Sequence, residues 1–207
     1  MTSGEKRQEA RDYSFGQEGE SWFDILLFSL RSRHVLNEIK NIVSVKSVLD
    51  IGCGYHATFL QNFKKIRPEV SILAGIDMSV GPIQKEGITL SAADLNMPLK
   101  FPDNTFDVAV STAVFEHLEK PDLAAKEAWR VLKPGGKLII TTPSPAAKPV
   151  LEFLAFKLSL IDPTEILDHK TYFSRTGLES LFREAGFKNI KTKYFQFGFN
   201  TFAVCIK

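Results

Sequence analysis

Two rhythms of apolar residues take turns along this chain, short apolar runs that read as strands and stretches with every third or fourth residue apolar that read as helices. Ser21, with Asp24 three positions on, has the spacing of a capping box and opens a helix whose apolar stripe takes in Trp22, Ile25, Leu26 and the pair Ser29 and Leu30. Residues 47–51 form a short apolar strand ending in glycines, and residues 58–66 follow as a helix with Leu60, Phe63 and Ile66 on one face. Strands are predicted at 71–76, 87–91 and 106–110, with a short helix or turn at 80–85 between the first two. Proline and Asp122 suit the first turn of a helix over 121–132, in which Ala124, Ala128, Val131 and Leu132 share a face and Pro134-Gly135-Gly136 supplies the stop. A fifth strand covers 137–141. Ser174 caps a helix carrying Leu178, Leu181, Phe182 and Ala185 before Gly186 ends it. Strands at 188–195 and 199–206, joined through Gly198, predict a hairpin. Strand and helix in alternation predict an α/β fold with a mostly parallel sheet, to which the hairpin adds an antiparallel strand.

A chain of 207 residues of ordinary apolar content fills one substantial core, so one domain is expected. Its parts would be an N-terminal tail and helix or lid (1–45), a ligand-binding core (46–143), an insertion (144–173), and a terminal helix with its hairpin (174–207). The formal net charge of +2 comes from intermixed signs, without a basic run to hold a phosphate backbone, so nucleic acid is not the expected partner. Cys53 and Cys205 stand far apart without paired cysteines or interleaved histidines. Neither a disulfide framework nor a metal site is suggested, and a reducing compartment fits. Residues 1–12 lack the apolar centre of a signal peptide and no apolar run approaches a membrane span, so a cytoplasmic protein with no integral membrane association is expected.

Chemistry in an open α/β sheet sits where loops leave the C-terminal ends of the parallel strands, and three segments fall there. The first is Leu49-Asp50-Ile51-Gly52-Cys53-Gly54-Tyr55-His56-Ala57, a glycine turn that lets a ligand approach the backbone. Read as G-x-G-x-x-A, with Asp77 as the ribose acid, it also matches a relaxed dinucleotide fingerprint, the mark of a nicotinamide-dependent oxidoreductase. Asp50 argues against that reading, because a carboxylate just before the turn repels a pyrophosphate and suits a ligand bearing ammonium and sulfonium charges. The second segment ends a strand at Asp77-Met78, where a carboxylate can accept from both ribose hydroxyls. In the third, Asp94 can accept from the exocyclic amine of adenine while Leu95 covers the ring or offers its N–H. Together they make a nucleoside-shaped site.

Five segments in order, VLDIGCG (48–54), GIDMS (75–79), AADLNMPLKFPDNTFDVAVS (92–111), EHL (116–118) and WRVLKPGGKLII (129–140), give the chain a resemblance to the class I S-adenosylmethionine (SAM)-dependent methyltransferases, especially their small-molecule branch. The resemblance spans about 46–187. It implies a Rossmann-like, doubly wound seven-stranded sheet with a reversed last strand, SAM across the strand ends, and transfer of its methyl group to a small-molecule acceptor. It places Asp50, Gly52, Cys53 and Gly54 at the methionine portion, Asp77 and Met78 at the ribose, Asp94 and Leu95 at the adenine, and Ser111, after the fourth strand, beside the methyl-bearing sulfur. In one departure, His56 stands where the family often has a third glycine. It implies either a left-handed histidine or an earlier start of the helix.

Outside the cofactor segments, Glu116-His117 caps or packs a helix, or else His117 serves catalysis. His169 and Tyr172, in a segment that the resemblance places near the acceptor opening, are the other catalytic candidates. Residues 150–158 are apolar nearly all round and call for cover by the body, a partner chain or an apolar ligand. Tyr13, Phe15 and Trp22 are placed to close over the cofactor. A protein that keeps the fold and SAM without catalysis remains the third functional reading.

Overall fold

The structure, a computed structural model, describes residues 14–17, 21–82 and 87–207. The polar N-terminal segment, Tyr13 and the second half of the turn expected at 80–85 lie outside the described residues.

Seven strands form one sheet in the order β3-β2-β1-β4-β5-β7-β6. β1 (Ser47–Ile51), β2 (Ile72–Asp77), β3 (Ile88–Ala92), β4 (Phe106–Thr112) and β5 (Leu132–Pro143) run parallel, and β7 (Asn200–Ile206) inserts antiparallel between β5 and β6 (Lys188–Phe195). Successive residues of a strand point to opposite faces, and here both faces are covered. Leu49, Ile51, Ala109, Ile140 and Ala203 join one core with Ala124, Ala128, Leu178 and Phe182 of the helices α3 (Pro121–Val131) and α6 (Arg175–Glu184). Val48, Val108, Val110, Ile139 and Phe202 join the other, under Val35 and Ile39 of α1 (Trp22–Ile39) and Phe59, Leu60 and Phe63 of α2 (Thr58–Ile66). Two covered faces are why β1 and β4 read as mainly apolar runs rather than as alternating apolar and polar residues.

Several local expectations give way to packing. Ser21 and Asp24 do form the capping box, but the N-terminal half of the α1 stripe is open to solvent, with Trp22 66% exposed and Ile25 52%. The buried residues of α1 lie mostly further on, because its C-terminal half is the part held on the sheet. Ile66 is exposed at the last position of α2, where the helix runs past its core contacts. α3 ends at Val131, before the glycines. Leu132 pairs with Phe106 and Lys137 with Val108, so between these pairs residues 133–136 of β5 face Asp107 alone on β4. Pro134-Gly135-Gly136 is therefore a bulge within β5, with Gly135 at φ +77°, rather than the helix stop. In the insertion, α4 (Ala147–Phe156) and α5 (Pro163–Leu167) pack around Ala155, Ile161 and Ile166 against Phe23 of α1. The body covers only that side, leaving Phe153, Phe156 and Leu158 exposed. No helix among the described residues is long and apolar enough to cross a membrane.

Candidate active site

The chain leaves β1 toward β2 on one side of the sheet and reaches β4 on the other, so a crevice opens at the C-terminal end of β1. The glycine turn that floors it is held by the Gly52 and Cys53 amides, which donate to the Ile76 carbonyl at 2.8 and 3.0 Å. Gly52 sits at φ +78°, and a Cβ there would lie 2.2 Å from Cγ2 of Val114. Both features demand glycine. Gly52→Ala should therefore lower the melting temperature and weaken SAM binding by roughly tenfold or more, since the strain and clash together cost on the order of 1–3 kcal/mol. Calorimetry on the variant and wild type checks both.

His56 has neither of the two expected conformations. The left-handed residue is Ala57, at φ 45°, and α2 begins after it at Thr58. His56 is exposed, and its carbonyl accepts from Gln61 Nε2 at 2.7 Å. The departure from the third glycine thus leaves the turn itself intact.

A short N-terminal strap closes over this turn. The Phe15 carbonyl accepts from the Tyr55 amide at 2.7 Å, the Phe15 ring stacks on Phe28 with centroids 5.2 Å apart, and the Ser14 hydroxyl donates to Asp77. Phe15 thus lines the crevice, whereas Trp22 faces solvent. Asp77 also accepts from the Gly54 and Met78 amides, each at 2.8 Å. Asp94 accepts from the amide and side chain of Asn96, both through Oδ1.

Gly52, Cys53, Gly54, Asp77, Met78, Asp94 and Leu95 all line one cavity of about 500 Å³. Two proposed residues do not. Ser111 lies inside β4, fully buried, with its hydroxyl donating to the Ile51 carbonyl at 3.0 Å. β4 runs two residues further than expected, so Thr112, Ala113 and Val114 form the wall in its place. Asp50 is buried beneath the turn instead of lining the cavity. Burial, followed by the neighbouring Asp77 charge, pushes its pKa up to about 8. Burial likewise pushes the Cys53 thiol up, so this cysteine is a packing residue.

At its other end the cavity reaches Arg31, His117, Glu165, Asp168 and Lys170. His117 closes the 3-10 turn Phe115–His117 after β4, and the Lys170 and Thr171 amides donate to the Glu116 carbonyl at 2.7 and 3.2 Å. This joins the loop after α5 to the turn after β4. His117 Nδ1 lies 3.0 Å from Asp168 Oδ2, and His169 Nδ1 lies 2.9 Å from the Tyr172 hydroxyl. Of the three catalytic candidates only His117 reaches the cavity wall; His169 and Tyr172 stand behind it. Burial acts to lower the His117 pKa but is outweighed by the Asp168 hydrogen bond and the Glu116, Glu165 and Asp168 charges, so it is raised. His169 is driven down to about 3, first by burial and then by the His117 and Arg31 charges. Tyr172 is pushed up to about 12, by burial and then by Glu152 and Glu116. Asp168 and Lys170 flank His169 in the sequence and could have been noticed there. Arg31 and Ser14 carried no such signal, since only the fold brings them to the crevice.

A volume within the range of cofactor pockets, backbone exposed at a glycine turn, and carboxylates at two neighbouring strand ends suit an adenine nucleoside bearing an amino-acid tail. The class is a doubly wound, nucleoside-binding α/β enzyme. A family model described as a methyltransferase domain matches residues 24–192. The chain is 31% identical over 181 residues to a demethylmenaquinone methyltransferase of Symbiobacterium thermophilum, covering 71% of this chain and 69% of that one. It is also 31% identical over 153 residues to a chloroplastic 2-methyl-6-phytyl-1,4-hydroquinone methyltransferase of Oryza sativa, covering 70% of this chain and 40% of that one. Among solved structures, an S-adenosylmethionine-dependent methyltransferase from Mesorhizobium loti superposes with a TM-score of 0.65 at 17% identity, covering 84% of this chain and 96% of that one. Phosphoethanolamine N-methyltransferase 2 of Haemonchus contortus, in complex with SAM, gives a TM-score of 0.66 at 15% identity, covering 86% and 52%. The chain belongs to the class I SAM-dependent methyltransferase family. SAM is its cofactor, and the dinucleotide reading is set aside.

Proposed function

We propose that this chain transfers the SAM methyl group to a small-molecule acceptor held against His117 and Asp168, with hydroquinones bearing an apolar tail as the first candidates. One observation carries the reading: a single cavity runs from Asp77 and Asp94 to His117 and Asp168. The relatives named for demethylmenaquinone and for a phytyl hydroquinone supply the candidate class. Apolar walls from Phe15, Phe28, Val114 and Leu118 suit a ring, and the exposed side chains of α1 and α4 suit a tail.

In this reading Asp77 holds the ribose and Asp94 with Leu95 the adenine, while Gly52, Cys53 and Gly54 sit at the methionine end, above the buried Asp50. When bound, SAM supplies a sulfonium-activated methyl group and departs as S-adenosylhomocysteine. The protein lines up the acceptor atom with that carbon, with Val114 and the Ser14–Phe15 strap excluding water. His117, oriented by Asp168, faces the acceptor. Residues 1–207 act as one unit, with 144–173 forming the acceptor side.

Incubation with methyl-labelled SAM, offering a prenylated hydroquinone and phosphoethanolamine in parallel, tests this. Label in the hydroquinone with matching release of S-adenosylhomocysteine is the expected result. Label in phosphoethanolamine alone would overturn the acceptor class. Binding of S-adenosylhomocysteine without transfer to any small molecule would favour a protein that keeps the fold without this catalysis.

A further inference from the structure

Cysteine spacing suggests no metal site, yet the fold assembles ligands of another kind. Glu116 and His117 sit side by side in the turn after β4, and His169 arrives from the loop after α5. One ligating atom from each lies within 4.8 Å of the others, and the two imidazoles meet edge to face with centroids 4.7 Å apart. Sequence separation concealed this grouping.

We infer that Glu116, His117 and His169 form a binding site for a divalent first-row transition metal, beside the acceptor end of the cavity, whose wall His117 reaches. Three features of the cluster support this. Glu116 is fully buried, and neither carboxylate oxygen makes a well-formed hydrogen bond, its own backbone amide and the Thr142 hydroxyl approaching it only loosely. A buried, unpaired carboxylate is costly unless a cation or proton accompanies it. Both histidines have Nδ1 held by a second group, Asp168 for His117 and the Tyr172 hydroxyl for His169. That leaves Nε2 of each ring for a metal, in the arrangement by which outer carboxylates and hydroxyls orient metal-bound imidazoles. Two imidazoles with one carboxylate also form a donor set that leaves coordination positions open.

The surrounding charges are of both signs. Arg31 faces the cluster, its charge felt by Glu116 and His169, and it opposes a cation. Lys170 is paired with Asp168 at 2.9 Å. Against these two positive charges stand the carboxylates of Glu116, Asp168 and Glu165, the last felt by His117. With both imidazoles neutral, as ligation of a metal requires, the carboxylates outweigh the two cations and favour a bound cation. Nitrogen ligands select manganese, iron, cobalt or zinc over magnesium, which prefers an all-oxygen shell. An open position would take water or a hydroxyl oxygen of the acceptor, which the metal would hold and polarise. That use of the open position rests on the proposed function; cation binding does not.

The test uses full-length protein freed of any histidine tag and stripped with a chelator. Co²⁺ is titrated in while ligand-field absorption is followed, with equilibrium dialysis for stoichiometry and Zn²⁺ as competitor. The expected result is one Co²⁺ per chain, displaced by Zn²⁺, with binding roughly tenfold or more weaker in Glu116→Gln and in His169→Ala. Binding of S-adenosylhomocysteine, measured on every variant, reports an intact fold, and where one variant fails to fold the other decides. Failure of wild-type protein that binds S-adenosylhomocysteine to take up Co²⁺ would overturn the site. So would Co²⁺ binding that both variants retain. Because neither SAM nor acceptor enters the titration, its outcome is separate from that of the methyl-transfer assay.

Discussion

Asp77→Ala is expected to weaken SAM and S-adenosylhomocysteine binding roughly a hundredfold or more while leaving thermal unfolding cooperative. Asp77 ends β2, where its carboxylate accepts from the Gly54 amide, the Met78 amide and the Ser14 hydroxyl. In the proposed complex the ribose hydroxyls come to this carboxylate, and the Ser14 hydroxyl occupies one of the places they need. Hydrogen bonds to a charged group contribute about 1.5–3 kcal/mol each, so losing two costs on the order of 3 kcal/mol or more. The fold should survive, because the backbone pairing of β1 with β2 through Ile51 and Ile76 does not involve this side chain. Titration calorimetry with S-adenosylhomocysteine reads the affinity, and a melting curve reads the fold. Unchanged affinity would remove Asp77 from the ribose site. Ser14→Ala supplies the opposite sign: if its hydroxyl competes for the carboxylate, ligand binding should tighten.

What could be read from the chain follows from what buries it. The parallel strands and α3 were legible because sheet faces covered on both sides demand apolar runs, and because Pro121 and Asp122 mark a helix start whatever surrounds them. The α1 stripe failed the same reasoning. Trp22, Ile25 and Leu26 have helical spacing, but spacing says only which residues share a face and not whether that face meets the body. For residues 150–158 the apolar composition called for cover without saying which side the body would supply, and packing around Ala155 supplies one side only. Pro134-Gly135-Gly136 was recognised as a break but assigned to the wrong element, because a bulge inside a strand and a stop after a helix use the same residues. At the site, the segments 48–54, 75–79 and 92–95 were legible because each carries its chemistry locally. His117 and His169 were singled out within their own segments, but their grouping with Glu116 and Asp168 was not legible, because it comes from the loop after α5 folding onto the turn after β4.

Asp50 yields the second large expected effect, a dependence of stability on pH that Asp50→Asn should remove. Burial and the Asp77 charge raise its pKa in the folded protein to about 8, against about 3.9 for an unperturbed aspartate. Between these values the folded state holds a proton that the unfolded state has released. Stability from this group is therefore fully present below about pH 4 and is lost as pH rises through about 8, with a slope approaching 1.4 kcal/mol per unit. The amide of the variant does not titrate, so the stability of Asp50→Asn relative to wild type should increase from pH 5 to pH 7 by up to roughly 2.7 kcal/mol. For a chain of this length that corresponds to a relative rise in melting temperature of about 5–10 °C. A constant difference between the two proteins across this range would show that Asp50 ionises normally. The same group ties stability to cofactor binding. An ammonium brought near Asp50 stabilises its charged form, so SAM binding below pH 8 should release a proton, seen as a binding enthalpy that changes with the ionisation enthalpy of the buffer. Proton release abolished in Asp50→Asn would place the methionine end of SAM over the buried carboxylate. No release would mean that Asp50 shapes the glycine turn from beneath without contributing charge to the ligand.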